Sequence, residues 1–177
     1  QYLIRLLIGL IFWQLMADSW LEPMRFARRI KLILISYPLD KRIILMAGNL
    51  SAIFNFILKI PILLLAVVYV DQIISLNLLM IPLLMFLTMS LGTSLSCFMT
   101  PLSLGLLDIR YSAPLVQYAF LFATPILYTQ FESGIVALIN FSNPFTYIIP
   151  IYRDIILGID TDIELFLTVS ALILSFF

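Results

Sequence analysis

The sequence predicts an all-α integral membrane protein with about five transmembrane helices, and three observations carry that prediction. The chain of 177 residues is 63% hydrophobic and only 11% charged, with a mean hydropathy of +1.12; a soluble domain could not cover that much apolar surface with so few charges. The apolar residues fall into runs, most of them close to the roughly 20 residues that cross a hydrocarbon core of about 30 Å. The charges gather mainly between the runs.

The first run covers 2–17, YLIRLLIGLIFWQLMA. Next comes a basic segment, 23–42, in which Pro23 suits a helix start and Pro38 a stop. A helix over 23–36 puts Arg25, Arg28 and Arg29 on one face and Phe26, Ile30, Ile33 and Tyr37 on another, the pattern of an interfacial amphipathic helix. The second run, 43–70, is longer than one crossing needs and predicts tilt or a kink at Pro61. Within it Gly48, Ala52, Asn55 and Lys59 recur at helical spacing. Such a small and polar stripe faces protein or a water-filled path, so Asn55 and Lys59 are pathway candidates. Two readings stay open for Lys59: it lines a path, or it snorkels outward.

The third run, 76–99, contains SLGTSLSCF at 90–98, whose small residues permit close helix approach. Cys97 reads as a small packing residue, and a lone cysteine excludes an internal disulfide framework. The fourth run is 114–131 and the fifth 163–177. The chain starts at Gln1 and ends inside an apolar run, so it reads as a fragment of a longer protein.

Charge sets the orientation. Arg25, Arg28, Arg29, Lys31, Lys41 and Arg42 lie between the first two runs, and Arg110 between the third and fourth. The connections on the other side carry Asp71, Glu132, Asp154, Asp160, Asp162 and Glu164 against Arg153. The positive-inside rule therefore places 18–42 and 100–113 in the cytoplasm and 132–160 outside.

The segment NPFTYIIPIYRDIILG, 143–158, is too broken by Pro144 and Pro150 to cross as one helix and too apolar to be a solvated loop. Two short helices over 133–141 and 145–157, dipping into the outer leaflet, account for both features; such backbone is tolerated where it is buried in protein or lines a cavity. Asn143 caps the second helix, Pro144 starts it, and Pro150 kinks or ends it. Arg153 needs a partner at this depth. Asp154 points about 100° away on a helix, so a carboxylate or carbonyl from elsewhere is expected; the competing reading is that Arg153 snorkels to lipid phosphates. Asn143, Pro144, Tyr147 and Arg153 are the outer gate candidates.

Catalytic patterns are missing. The chain has no His, no G-x-S-x-G and no G-x-x-x-x-G-K-[ST], which removes His-based triads, HExxH zinc sites and a P-loop. No carboxylate falls at the centre of a predicted run, as a proton relay would require. The weight moves from enzyme to conduit.

DIRYSAPLVQYAFLFATPILYT, 108–129, followed by NPFTYIIPIYRDIILG, resembles the permease subunits of type-2 ABC transporters that export O-antigen, capsule or teichoic acid. The matching positions are Asp108, Arg110, Tyr111, Pro114, Thr124, Pro125, Tyr128, Asn143, Pro144, Thr146, Arg153 and Gly158. The upstream GLIFWQLMADS and KLILISYPLDKRIILMA resemble the family's second span and inner loop more loosely, with Asp40-Lys41-Arg42 in place of the usual Arg after the Pro. The family's N-terminal interfacial helix and first span have no counterpart here.

The resemblance implies a single ABC-2 type transmembrane domain over 1–177, part of a subunit of about six spans. It implies a multi-pass homodimer in the inner membrane of a bacterium. It also implies a separate ATPase subunit that holds the ATP and Mg, so this chain carries no cofactor, metal or catalytic residue. The implied partners are that ATPase, membrane lipids and a lipid-linked glycan, with no nucleic acid. Candidates for ATPase coupling are Arg25, Arg28, Arg29, Lys41, Arg42, Asp108 and Arg110. Tyr118, Phe120, Phe122 and Tyr128 are glycan-path candidates, with Phe131, Phe145, Tyr147 and Tyr152 near them; the ordinary interfacial aromatic belt competes for each. Two other classes stay open: a type-2 permease for drugs or lipids, and a membrane-embedded transferase using Asp18, Glu132 or the acids at 160–164.

Overall fold

The computed structural model describes residues 2–37, 40–69, 76–126 and 145–158, together with 128, 134, 137, 138, 140, 143, 168, 170 and 171. Among them all regular structure is helical. The elements are α1 (Tyr2–Arg29), α2 (Lys31–Ser36), α3 (Lys41–Ile57), α4 (Ile60–Tyr69), a 3-10 turn (Leu76–Met80), α5 (Ile81–Gly105), α6 (Leu107–Ala123) and α7 (Phe145–Leu157). Among the described residues three stretches are long and apolar enough to cross a membrane: Tyr2–Arg29, Arg42–Tyr69 and Leu78–Gly105, of 28 residues each. They correspond to the first three predicted runs. The fourth is 17 residues as α6, short of the roughly 20 a crossing needs. Nearly all of the fifth, 163–177, lies outside the described residues.

The central helix is α1, which packs on α5, α3 and α7. Its most apolar window is 67% buried, against 22% for Arg42–Tyr69 and 39% for Leu78–Gly105. Ile4, Ile8, Phe12 and Leu15 form one side of the core with Phe56, Leu63 and Leu84. Phe12 meets Phe56 with the rings tilted, centroids 5.4 Å apart, and Tyr152 edge-on at 4.9 Å. Tyr152 is therefore a core residue and not a free aromatic beside the path; Phe145 is buried likewise.

Glycines set the closest helix approaches. A Cβ on Gly92 would come within 2.5 Å of Ser19 Cβ and 2.8 Å of the Met16 carbonyl, so α5 needs glycine there to lie against α1. The neighbouring hydroxyls turn back onto their own helix, Ser90 to Leu87 O, Thr93 to Met89 O and Ser94 to Ser90 O, so this segment packs as its composition predicts. Cys97 differs: it is exposed in a cleft between α3 and α5 that Arg42 and Asn49 also line.

Three boundaries bear on the sequence reading. First, no helix starts at Pro23; α1 runs through it to Arg29, and the 23–36 helix is broken at Ile30. Proline inside a helix removes one backbone bond and crowds the preceding turn. Membrane helices tolerate it where neighbours support the turn, and here Gly48 of α3 lies directly against the Pro23 backbone. Gly48→Ala would drive a methyl into that backbone. We expect a loss of about 1–3 kcal/mol, read as a lower unfolding midpoint in detergent, whereas Gly105→Ala, with nothing nearby, leaves it unchanged.

Second, the 43–70 run is two helices, broken at Leu58–Lys59 just before Pro61. Proline pre-sets the φ of a first helical turn, which agrees with the expected kink. Third, the third run does not end at 99 and the fourth does not begin at 114: α5 continues through Pro101 to Gly105, Leu106 alone is extended, and α6 begins at Leu107. Asp108 then sits in the first turn of α6, where an acid complements the helix dipole. At its other end α6 stops at Ala123 and does not reach 131, because Thr124 precedes Pro125 and is extended (φ −99, ψ 129). Tyr37 before Pro38 behaves alike (φ −128, ψ 133), so α2 stops where predicted.

Candidate functional site

The end of α6 and the start of α7 are held together by polar groups. The Thr124 hydroxyl donates to the Phe120 carbonyl at 2.8 Å, capping α6, and accepts from Asn143 Nδ2 at 2.8 Å. Asn143 Oδ1 accepts from the Phe145 amide at 3.1 Å, and its carbonyl accepts from Thr146 at 3.0 Å. One asparagine thus caps α7, as the sequence predicts, and ties it to α6. The Tyr128 hydroxyl lies 2.9 Å from the Phe122 carbonyl and 3.1 Å from Asn140 Oδ1. One proton cannot serve two acceptors, and Asn140 Nδ2 is buried without a partner. Turning the Asn140 amide over gives Tyr128 a donor and leaves its own proton for Phe122. Tyr128 therefore belongs to this cluster.

Arg153 completes the clamp. Its Nη2 donates to the Ile126 carbonyl at 3.1 Å, in the turn that ends α6. The partner is a carbonyl from elsewhere, as expected. The guanidinium passes over Gly9 of α1, where a Cβ would stand 2.6 Å from Nη2. Its Nε is buried without a partner. On its other face α7 is anchored by Tyr152, which donates to the Leu84 carbonyl and accepts from Thr88, each at 3.3 Å. The helix keeps its predicted bounds, 145–157, and continues through Pro150, which neither ends nor divides it. At 13 residues it spans about 20 Å, too little to cross a bilayer. Of the first predicted piece, 133–141, residues 137, 138 and 140 are helical; Pro144 lies outside the described residues. Tyr147 faces outward and is 36% exposed.

A second polar group lies inside the bundle. Lys59 Nζ stands 3.6 Å from Asp18 Oδ2, with the side chains 23% and 12% exposed. Asn55 lies beside the same carboxylate. The stripe Gly48, Ala52, Asn55 and Lys59 faces α1: Gly48 meets Pro23, Ala52 is fully buried and Lys59 finds Asp18. Beyond the pair Lys59 borders an open groove of about 280 Å³ with Gln14, Leu10 and Ile62. The sequence reading placed no acid at a run centre because the apolar run stops at Ala17. With α1 extending to Arg29, Asp18 falls inside the helix. The signal was Lys59 itself, a cation at depth that needed an acid.

The coupling candidates gather at the other end of the bundle. Arg28 and Arg29 end α1, where cations suit the helix dipole, and Arg25 pairs with Glu22. Lys31 donates to the Leu104 carbonyl at 3.0 Å, pinning α2 to the last turn of α5. Asp40 accepts from the Arg42 amide at 3.0 Å and caps α3. Arg42 and Asp108 are exposed, and Lys41 and Arg110 lie in the first turns of α3 and α6. On α6, Tyr118, Phe120 and Phe122 are 57%, 43% and 66% exposed. Tyr111, Leu115, Tyr118 and Phe122 recur at helical spacing and form one outward stripe.

Compared with known families and with curated proteins, the chain matches no family model and no curated protein.

Proposed function

We propose that this chain is the membrane-spanning permease subunit of an ABC-2 type exporter that moves a lipid-linked polysaccharide across the inner membrane of a bacterium. In this reading it works as a homodimer driven by a separate ATPase subunit. One observation carries the proposal. The two blocks on which the family resemblance rests, 108–129 and 143–158, meet through Asn143–Thr124 and Arg153–Ile126. Their motif residues make one polar clamp, at the end of the bundle away from the coupling candidates. In this reading α7 is the second arm of a re-entrant hairpin that closes the outer mouth, and the outward aromatics of α6 offer ring faces to sugar. The pairing of Asp18 with Lys59 also removes one acid that a transferase would need free.

Coupling enters through the basic end, where Lys31 joins α2 to α5. We expect the chain, reconstituted in vesicles with its P-loop ATPase, to move lipid-linked glycan into the lumen only with ATP. Reversing charge with Lys41→Glu and Arg42→Glu should leave insertion and ATPase binding intact and abolish ATP-driven export. Undiminished export in that double variant would sink the coupling assignment; glycan movement without ATP would sink the exporter itself.

A further inference from the structure

A cavity of about 340 Å³ lies between α1, α5 and α6. Its floor is made by Trp13, Trp20 and Ala113, which are 5%, 6% and 5% exposed. Met99 closes one side, and Val116 and Phe120, 41% and 43% exposed, stand at the rim on the outer face of α6. The polar groups of the lining are the Gln117 amide, the Ser112 hydroxyl, which already donates to the Ile109 carbonyl, and the indole N–H groups of Trp13 and Trp20, of which Trp13 Nε1 is buried without a partner. One amide and the indole N–H groups are too few to replace the water of a sugar or a charged headgroup.

We infer that this cavity binds a single hydrocarbon chain entering sideways past Val116 and Phe120. Size and chemistry decide it. Apolar cavities of about 150 Å³ stay dry and take up apolar molecules, and ligand pockets begin near roughly 300 Å³. Left empty, a void of this size forfeits the contacts that its lining atoms would otherwise make. Water cannot recover them among indole, methionine and valine side chains. The other two walls, α1 and α5, are long and apolar enough to cross a membrane, so the opening meets hydrocarbon, and a chain that enters makes the missing contacts. Two sources share this chemistry: an acyl chain of a bilayer phospholipid, and an isoprenoid chain of a lipid-linked sugar. The acyl-chain source stands without the exporter reading; the isoprenoid source rests on it.

The only two tryptophans of the chain, Trp13 and Trp20, both line the cavity and are buried from the bilayer. Bromine quenches indole emission on contact, so brominated chains report occupancy directly. The protein in vesicles of unbrominated lipid is titrated with a phospholipid brominated in mid-chain and, separately, with a brominated polyprenyl phosphate. We expect saturable loss of most of the emission from at least one of them. Quenching by the polyprenyl phosphate at mole fractions where the phospholipid is silent assigns the isoprenoid chain; the reverse order assigns an acyl chain. Val116→Phe narrows the rim and Ala113→Leu fills the floor, and each should remove the quench while the helical circular dichroism is kept. No quenching from either probe overturns the site. So does equal quenching of the native protein and both folded variants, which would mean that the indoles meet lipid elsewhere.

Discussion

Lys59→Met is expected to cost the protein about 3 kcal/mol of unfolding free energy in detergent, at the lower end of the range for breaking a buried ion pair. The substitution leaves the Asp18 carboxylate, 12% exposed, without its counter-charge in the middle of α1. Asp18→Asn leaves the ammonium alone instead and should cost a similar amount. The low end applies for two reasons: at 3.6 Å the groups are an ion pair without a short hydrogen bond, and Lys59 is 23% open to its groove. The double variant Asp18→Asn/Lys59→Met removes both charges. It should recover most of the loss, since most of that loss is the solvation of an orphaned charge. A double-mutant cycle reads this directly. If the two losses simply add, the charges are not coupled and the pair is incidental.

Arg153→Ala should release the second half of α7 from the turn that ends α6. A hydrogen bond from a charged donor contributes about 1.5–3 kcal/mol, and this one bridges two elements that meet through few other polar groups. On the gate reading the variant keeps its helix content and its oligomeric state but lets ions leak across vesicle membranes. Gly9→Ala is the stronger check, because it leaves the arginine in place. A methyl at position 9 would stand 2.6 Å from Nη2, so it displaces the guanidinium and should reproduce the leak. Asn143→Ala removes the cap of α7, at about 1 kcal/mol, together with the bond to Thr124. Vesicles as tight with Arg153→Ala as with the native protein would favour an arginine that only reaches lipid phosphate.

Much of this molecule was legible because its causes are local. Helical membrane character follows from composition and from the length of the apolar runs. The bounds of α7 follow from the Asn143-Pro144 pair and Gly158, which has φ 67 and suits a helix end. The extended residues before Pro38 and Pro125 follow from a clash within one dipeptide. The requirement that Arg153 find a partner was also readable, since burial of a charge at membrane depth demands one.

What the sequence by itself determined is therefore the set of needs: apolar lengths to be buried, caps to be made, and one cation, Arg153, to be answered, with Lys59 left either lining a path or snorkelling outward. Only the tertiary structure decided which groups answer them. Asp18 became an interior carboxylate because α1 continues through it to Arg29 and packs there on α3, which brings Lys59 to it. The partner of Arg153 is a backbone carbonyl, which every residue carries and no side-chain pattern reveals. The α1–α5–α6 cavity exists because three helices leave a space between indole and alanine side chains that no single helix records. Propensity and periodicity act over a few residues, whereas these contacts join segments far apart in the chain. Their energies appear only when close packing brings the segments together.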